Sequence, residues 1–364
     1  MNIIIFILIL GILVFVHELG HFLFAKLFNI RVDEFGFGYP PKMFKMFSWR
    51  GTDFTMNWIP FGGFVKIFGE NDDGSELSDE EKAVSLVHKP RWQQTLVMFG
   101  GILFNLIFAW ILFSGIFMAG IMAPVSSAPD NYKFENIDLT LTSIMQKSPA
   151  ENAGLQVGDI VKEYYTGEST VIVQDQSIED IARFIQENGE NSDVGFVVLR
   201  DKKLENIITK PKLGIVGDSY SIGVGMDRVG KMKLPFFQSL WYGAKNTVSM
   251  TVEIFRGFGQ LISGKVSIDA VSGPVGIAGQ VGSAAKIGLT YLIGFAAMLS
   301  INLAVLNIIP FPALDGGRIF ILLIESVIGK RLNPNIVNWI NVVGFFLLIG
   351  LMLFVTVKDI IKLF

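Results

Sequence analysis

Four stretches of the chain stay apolar long enough to cross a bilayer. They run from about Ile3 to Phe28, Leu96 to Ala123, Ile287 to Phe311 and Trp339 to Val357. Each holds roughly 19 or more mostly apolar residues, enough as helix to cross a hydrocarbon core about 30 Å thick. The first could be mistaken for a signal peptide. However, Met1-Asn2 runs directly into Ile3-Ile4-Ile5 with no basic segment, and no small-residue cleavage site follows the apolar core. It reads as a retained transmembrane helix.

Between the first two stretches the pattern changes period. Phe54, Met56 and Trp58 alternate with polar residues, Pro60-Phe61-Gly62-Gly63 reads as a turn, and alternation resumes at Val65 and Ile67. This predicts a β-hairpin at membrane level, where open backbone survives only inside protein or beside a water-filled cavity. The segment 124–233 predicts a small α+β domain. Its strands are expected at Leu139–Met145, Ile160–Tyr165 and Val194–Leu199. Ile178, Ile181, Ala182 and Ile185 fall on one face of a helix from Ile178 to Gln186. From 234 to 286, Trp241, Phe255 and Phe258 among polar residues suggest amphipathic helices near the membrane surface. The expected architecture is a polytopic α-helical membrane protein with four transmembrane helices, a hairpin in the first half of its membrane core (1–123) and an inserted domain. The second half (287–364) includes a loop at 312–318.

Composition agrees with this layout. Apolar residues make up 51% of the 364, charged residues only 17%, and the net charge is −3. Nothing here provides a basic face for nucleic acid. With no cysteine and three histidines, disulfides, thiolate catalysis and cysteine–zinc sites are excluded. Arg31, Lys42, Lys45, Arg50, Lys66, Lys82, Lys89 and Arg91 all fall between the first two spans, which makes that side cytoplasmic. Arg318, Lys330 and Arg331 agree, whereas Lys358 and Lys362 lean the other way. On balance both termini and the inserted domain lie outside.

The chemistry concentrates in His17-Glu18-Leu19-Gly20-His21. On a helix, histidines four apart share a face and can bind one zinc ion, with the intervening glutamate placed as general base. Within a transmembrane run these side chains are costly, which favours a functional site over a polar cluster packed between helices. His88 sits in a charged loop and reads as solvated. Catalytic zinc usually has three protein ligands. The best third candidate is Asp315, in the run Asn307-Ile308-Ile309-Pro310-Phe311-Pro312-Ala313-Leu314-Asp315-Gly316-Gly317. Its ordinary alternative is a loop aspartate capping the next helix. Spans one and three run in the same direction, so Asp315 and the two histidines reach the same cytoplasmic depth.

With these residues in view, the chain resembles the site-2 protease family, in particular the bacterial regulator-of-sigma-E protease group. Further matches are Gly36-Phe37-Gly38, Pro60 through Lys66, Gly100-Gly101-Ile102-Leu103-Phe104-Asn105 and Ser272-Gly273-Pro274-Val275-Gly276. The resemblance implies one zinc ion per chain, held by His17, His21 and Asp315, with Glu18 as base. It implies that Asn307 holds the substrate backbone and that Asn302, Pro310 and Pro312 shape the site. It also implies that the hairpin, with Gly62, Gly63 and Phe64, meets the substrate as an added strand. The run Ser148 to Ile160 is similar to a PDZ signature of the circularly permuted bacterial type. The implied activity is zinc-dependent hydrolysis of peptide bonds within the bilayer of a bacterial inner membrane. Its substrates would be single-span proteins already shortened by another protease, such as anti-sigma factors, or signal-peptide remnants. Two readings compete: an inert PDZ-type membrane scaffold and a metal transporter. The intact Glu18 argues against the first, and the scarcity of polar residues in spans two and four against the second.

Overall fold

The computed structural model describes residues 2–70, 77–125, 128, 132, 134–145, 147–167, 169–172, 178–200, 202–217, 219–267 and 271–362. The chain divides into two units, 1–118 with 235–364, and 119–234.

Among the described residues, the first unit contains four helices long and apolar enough to cross a membrane: α1 (Asn2–Leu27), α3 (Arg91–Ala119), α8 (Leu289–Ile308) and α10 (Pro334–Ile361). Their outward faces are apolar. On α10, Phe345, Phe346, Leu347, Leu351, Met352 and Phe354 are all about half exposed or more, a surface suited to lipid and not to water. Two of the expected spans are shorter than the hydropathy suggests. Gly120, with φ of 103°, terminates α3, and the chain enters strand β3 (Ile121–Pro124), so Ala123 is not helical. Ile287 closes a separate helix, α7 (Pro274–Ile287), which Gly288 divides from α8. The amphipathic segment becomes α6 (Phe236–Ile262). This helix presents Ser239, Gly243 and Thr247 inward at four-residue spacing, and Gly243 lies against Ser114 of α3. The Trp110 indole N–H donates to Leu240 O at 2.8 Å. A short helix, α2 (Asp79–Val84), and a 3-10 turn at Leu86–His88 precede α3.

The polar stretch after α1 forms two long bent strands, β1 (Val32–Trp49) and β2 (Thr52–Ile67), bending at Pro40-Pro41 and around Gly62. The expected hairpin is corrected here. Residues 54–58 and 65–67 do not pair with each other, because the first part of β1 lies between them. Phe35 is opposite both Phe54 and Val65, and Phe37 is opposite both Met56 and Gly63. The pairing from Glu34–Asp53 to Phe37–Met56 climbs in both runs, while that from Val32–Ile67 to Phe37–Gly63 is opposed. The result is four runs in the order 42–49, 52–59, 32–39, 63–67. The last is an edge. Phe35 anchors the sheet to α1, meeting Phe15 and Phe22 edge-on at ring distances of 5.5 and 5.4 Å.

The second unit is a sheet in the order β3-β11-β4-β5-β7-β8, with β6 paired to β5. Its strands are β4 (Glu135–Ile144), β5 (Ile160–Thr166), β6 (Ser169–Ile172), β7 (Val194–Arg200), β8 (Lys203–Thr209) and β11 (Val224–Met232). A separate hairpin is made by β9 (Lys212–Val216) and β10 (Ser219–Ser221). Helices α4 (Pro149–Ala153) and α5 (Ile178–Asn188) complete it, and the core gathers Tyr164, Phe196, Leu141 and Ile181. The three expected strands and the expected helix fall in β4, β5, β7 and α5. Asp159, only 1% exposed, receives two hydrogen bonds from Arg200, at 2.7 Å from Nε and 2.6 Å from Nη2. Breaking such a pair strands a buried charge, at a cost of about 3–5 kcal/mol. Arg200→Ala is therefore expected to loosen this unit. Hydrogen exchange of the full chain will show faster exchange in β5 and β7, with α1 and α3 unchanged.

Candidate metal centre

The site is built on a contact between two helix backbones. A Cβ on Gly20 of α1 would lie 2.2 Å from Gly100 O of α3, and one on Gly100 would lie 2.8 Å from Gly20 O. Small residues let helices approach this closely. The approach brings α3 under the two histidine rings: a Cβ on Gly101 would sit 2.5 Å from His21 Nε2 and 2.7 Å from His17 Cε1. Both histidines are buried, at 7% and 5% exposure, on one face of α1.

The third group arrives from far along the chain. α8 ends at Ile308 ahead of Pro310, because proline cannot continue a helix. The chain then folds back through Ala313, whose φ is 68°, into α9 (Asp315–Ile328). Asp315 is thus the first residue of a helix and not part of an open 312–318 loop, which corrects the expectation. Gly316 and Gly317 make this return possible. Cβ atoms there would lie 2.4 Å from Ile308 O and 2.2 Å from Phe311 O.

Three lone-pair atoms converge. His17 Nε2 lies 3.1 Å from His21 Nε2, and Asp315 Oδ2 lies 3.0 Å from the first and 3.4 Å from the second. Ligands on a tetrahedral zinc with bonds of about 2.0–2.2 Å stand roughly 3.3–3.6 Å apart. The observed triangle therefore has nearly the size of one face of that tetrahedron. Asp315 Oδ2 is buried with no well-aligned hydrogen-bond donor, as a metal ligand would be. The residues fit zinc.

Each ring is also held from behind by α3. His21 Nδ1 is 2.8 Å from Val97 O, and since a carbonyl only accepts, Nδ1 carries the proton and Nε2 keeps its lone pair. His17 Nδ1 is 3.2 Å from the amide nitrogen of Asn105. The Ser300 hydroxyl donates to Asn105 O at 2.8 Å, tying α8 to the same point. Glu18 accepts the backbone N–H of Val65 at 3.1 Å. This donor points away from the 32–39 run, so the free edge of the sheet faces the carboxylate. Beyond Asp315, Arg318 reaches the carbonyl and carboxylate of Glu70. Burial lowers its guanidinium from the ordinary arginine value, and Glu70, Asp315 and Glu325 oppose that.

Gly62, with φ of 75°, abuts Val14 one turn before His17, and Gly63 lies against Gly36 O. Phe64 packs on Gly36 and stacks with Tyr39. Asn307 is buried in the last turn of α8. Asn302 lies five residues earlier, some 140° around the helix, so the two do not share a face. Pro310 is exposed and Pro312 packs on Gly344 of α10. The sequence reading gives Val97 no place at the site, and names Asn105 and Val65 without assigning either a role there. Only Asn105, an amide in an otherwise apolar span, carried a signal that could have revealed it.

A transmembrane scaffold with two histidines, an aspartate and a glutamate converging beside a sheet edge defines a membrane metallohydrolase. Sequence comparisons make that specific: the profile of peptidase family M50 matches residues 5–351, nearly the whole chain. A relative named as a zinc metalloprotease in Clostridium perfringens is 36% identical over 352 residues, covering 96% of this chain and 95% of that one. One in Fusobacterium nucleatum is 32% identical over 371 residues and covers both chains fully. The zinc metalloprotease RasP of Shouchella clausii is 28% identical over 441 residues, with 99% of this chain and 98% of RasP covered. The chain belongs to peptidase family M50, the site-2 proteases, and is a multi-pass membrane zinc metalloendopeptidase.

Proposed function

We propose that this protease cuts peptide bonds inside the bilayer, with His17, His21 and Asp315 holding zinc and Glu18 as the base. The observation that carries this reading is the position of Glu18: beside the ligand triangle, and bonded to the free edge of the 63–67 run. An extended substrate segment laid along that edge is held by main-chain hydrogen bonds, which suits a helix that must unwind before its carbonyls can be attacked. Gly62, Gly63 and Phe64 line its path, Asn307 holds the far side of the backbone, and Pro310 and Pro312 shape the turn that follows it. Zinc, when bound, supplies Lewis-acid charge at the reacting oxygen. Glu18 takes a proton from the attacking water on a carboxylate oxygen and returns it to the leaving amine nitrogen.

Exposed Tyr39, Phe44, Phe47, Trp49 and Trp58 on the sheet support its placement at membrane level. The positive charge between the first two spans supports a cytoplasmic position for the site, in a bacterial inner membrane with both termini and the 119–234 unit outside. That unit is read as PDZ-like, on its Ser148–Ile160 run and its strand and helix content. The substrates are single-span proteins shortened by an earlier protease, such as anti-sigma factors or signal-peptide remnants. Purified protein in detergent will cleave a tagged single-span substrate once its external domain is removed. Mass spectrometry will place the cut within the apolar stretch. Cleavage only outside that stretch, or none across several such substrates despite bound zinc, refutes the intramembrane reading.

A further inference from the structure

The two histidines are not held alike. Val97 offers His21 a carbonyl, which admits one tautomer. Asn105 offers His17 an amide, which is a donor at one end and an acceptor at the other. Asn105 is fully buried, its Nδ2 faces His17 Nδ1 at 3.2 Å, and its Oδ1 faces no donor. Two arrangements of this pair are self-consistent. With Nδ2 towards the ring, Nδ1 accepts and the ring proton sits on Nε2, the atom that lies 3.0 Å from Asp315 Oδ2. With the amide turned over, Oδ1 accepts from Nδ1–H and Nε2 presents its lone pair to the triangle. Only the second leaves Nε2 able to bind a cation.

We propose that Asn105 is a positioning residue for the metal centre: its amide turns to present Oδ1 to His17 and so selects the metal-binding tautomer. This rests on the reading of His17 as a zinc ligand. It gives α3 a second task besides its glycine contact with α1, since both ring partners, Val97 and Asn105, belong to it. The Ser300 bond to Asn105 O holds the residue's backbone while leaving its side-chain amide to turn. Ring partners of this kind typically set metal affinity by 10–100-fold.

The test compares full-length wild type, Asn105→Leu, Asn105→Asp and His17→Ala in detergent. Zinc affinity is read by chelator competition, and folding by gel filtration and thermal unfolding. Leucine keeps the volume but cannot accept a hydrogen bond, whereas aspartate can only accept. The expected result is zinc affinity about 10–100-fold weaker in Asn105→Leu and within a few-fold of wild type in Asn105→Asp. A second readout is the imidazole Nδ1–H signal in histidine-labelled, zinc-loaded protein, simple to assign with three histidines in the chain. The His17 Nδ1–H should be protected from exchange in wild type and in Asn105→Asp. Should Asn105→Leu fail to fold, that wild-type and aspartate signal decides alone. Equal weakening of zinc in both Asn105 variants, or an exchanging His17 Nδ1–H in wild type, overturns the proposal. Unweakened zinc in Asn105→Leu does so as well, and if His17→Ala still loses zinc, the ligand reading survives it. Full affinity in His17→Ala refutes the ligand reading itself.

Discussion

Glu18→Gln will cut peptide-bond cleavage by roughly 10²- to 10⁴-fold, the usual contribution of a positioned acid–base group, and will leave zinc bound. The substitution is chosen for what it keeps. A glutamine fills the same volume and still offers an oxygen to the Val65 N–H that Glu18 accepts at 3.1 Å. It cannot take a proton from water or return one to an amine. If Glu18 served only to tie α1 to the sheet edge, the variant would keep most of its activity. Cleavage of a trimmed single-span substrate, measured beside zinc content, separates the two. Loss of both together would mean that the side chain supports the metal site and would remove the claim that it is the base.

Gly101→Ala will have an effect of similar size by another route. The added methyl would lie 2.5 Å from His21 Nε2, on the atom that faces His17 and Asp315. Either the ring or α3 must move by about an ångström, and displacements of that order can cost 10²-fold in rate. Zinc affinity will fall too, because the nearly tetrahedral triangle is lost. Gly115 on the same helix is the control, since a Cβ there meets nothing within 4 Å. Gly115→Ala should be neutral, or more stable by about 0.4–1 kcal/mol. Zinc binding and cleavage left unchanged by both substitutions would show that α3 tolerates methyl groups generally and that the close approach at Gly101 is unimportant. A third check lies in the second unit, where only the Arg200 substitution should register.

The centre was legible in the sequence because its residues are chemically out of place. Two histidines and a glutamate in a transmembrane run, and an aspartate behind two prolines, have few innocent readings. The four spans were legible from length and apolarity, and their ends were off where Gly120 and Gly288 override hydropathy. The sheet was misread for a physical reason. Alternation shows which residues form strands but not which strands pair, and here the 32–39 run inserts between two segments that are closer neighbours in sequence. Val65 was unreadable because its contribution is a backbone N–H that every non-proline residue has. Val97 was hidden in the same way, as a carbonyl. In the second unit, β3, β6, β9 and β10 are three to five residues long, too short for a periodic signal. Their existence depends on partners elsewhere in the chain.

Asp315 reaches the histidines from the far end of the polypeptide, and this sets a schedule for the protein's own synthesis. Roughly 290 residues separate His21 from Asp315, which at about 5–20 residues per second takes some 15–60 s to translate. Throughout that interval the nascent chain holds two histidines and a glutamate in the bilayer without the third of the proposed ligands. On that reading it is born without a complete metal site. On the proposed zinc ligation, hydrolytic power arrives only after the second unit has emerged and α8 and α9 have been inserted, so an unfinished copy is a harmless one.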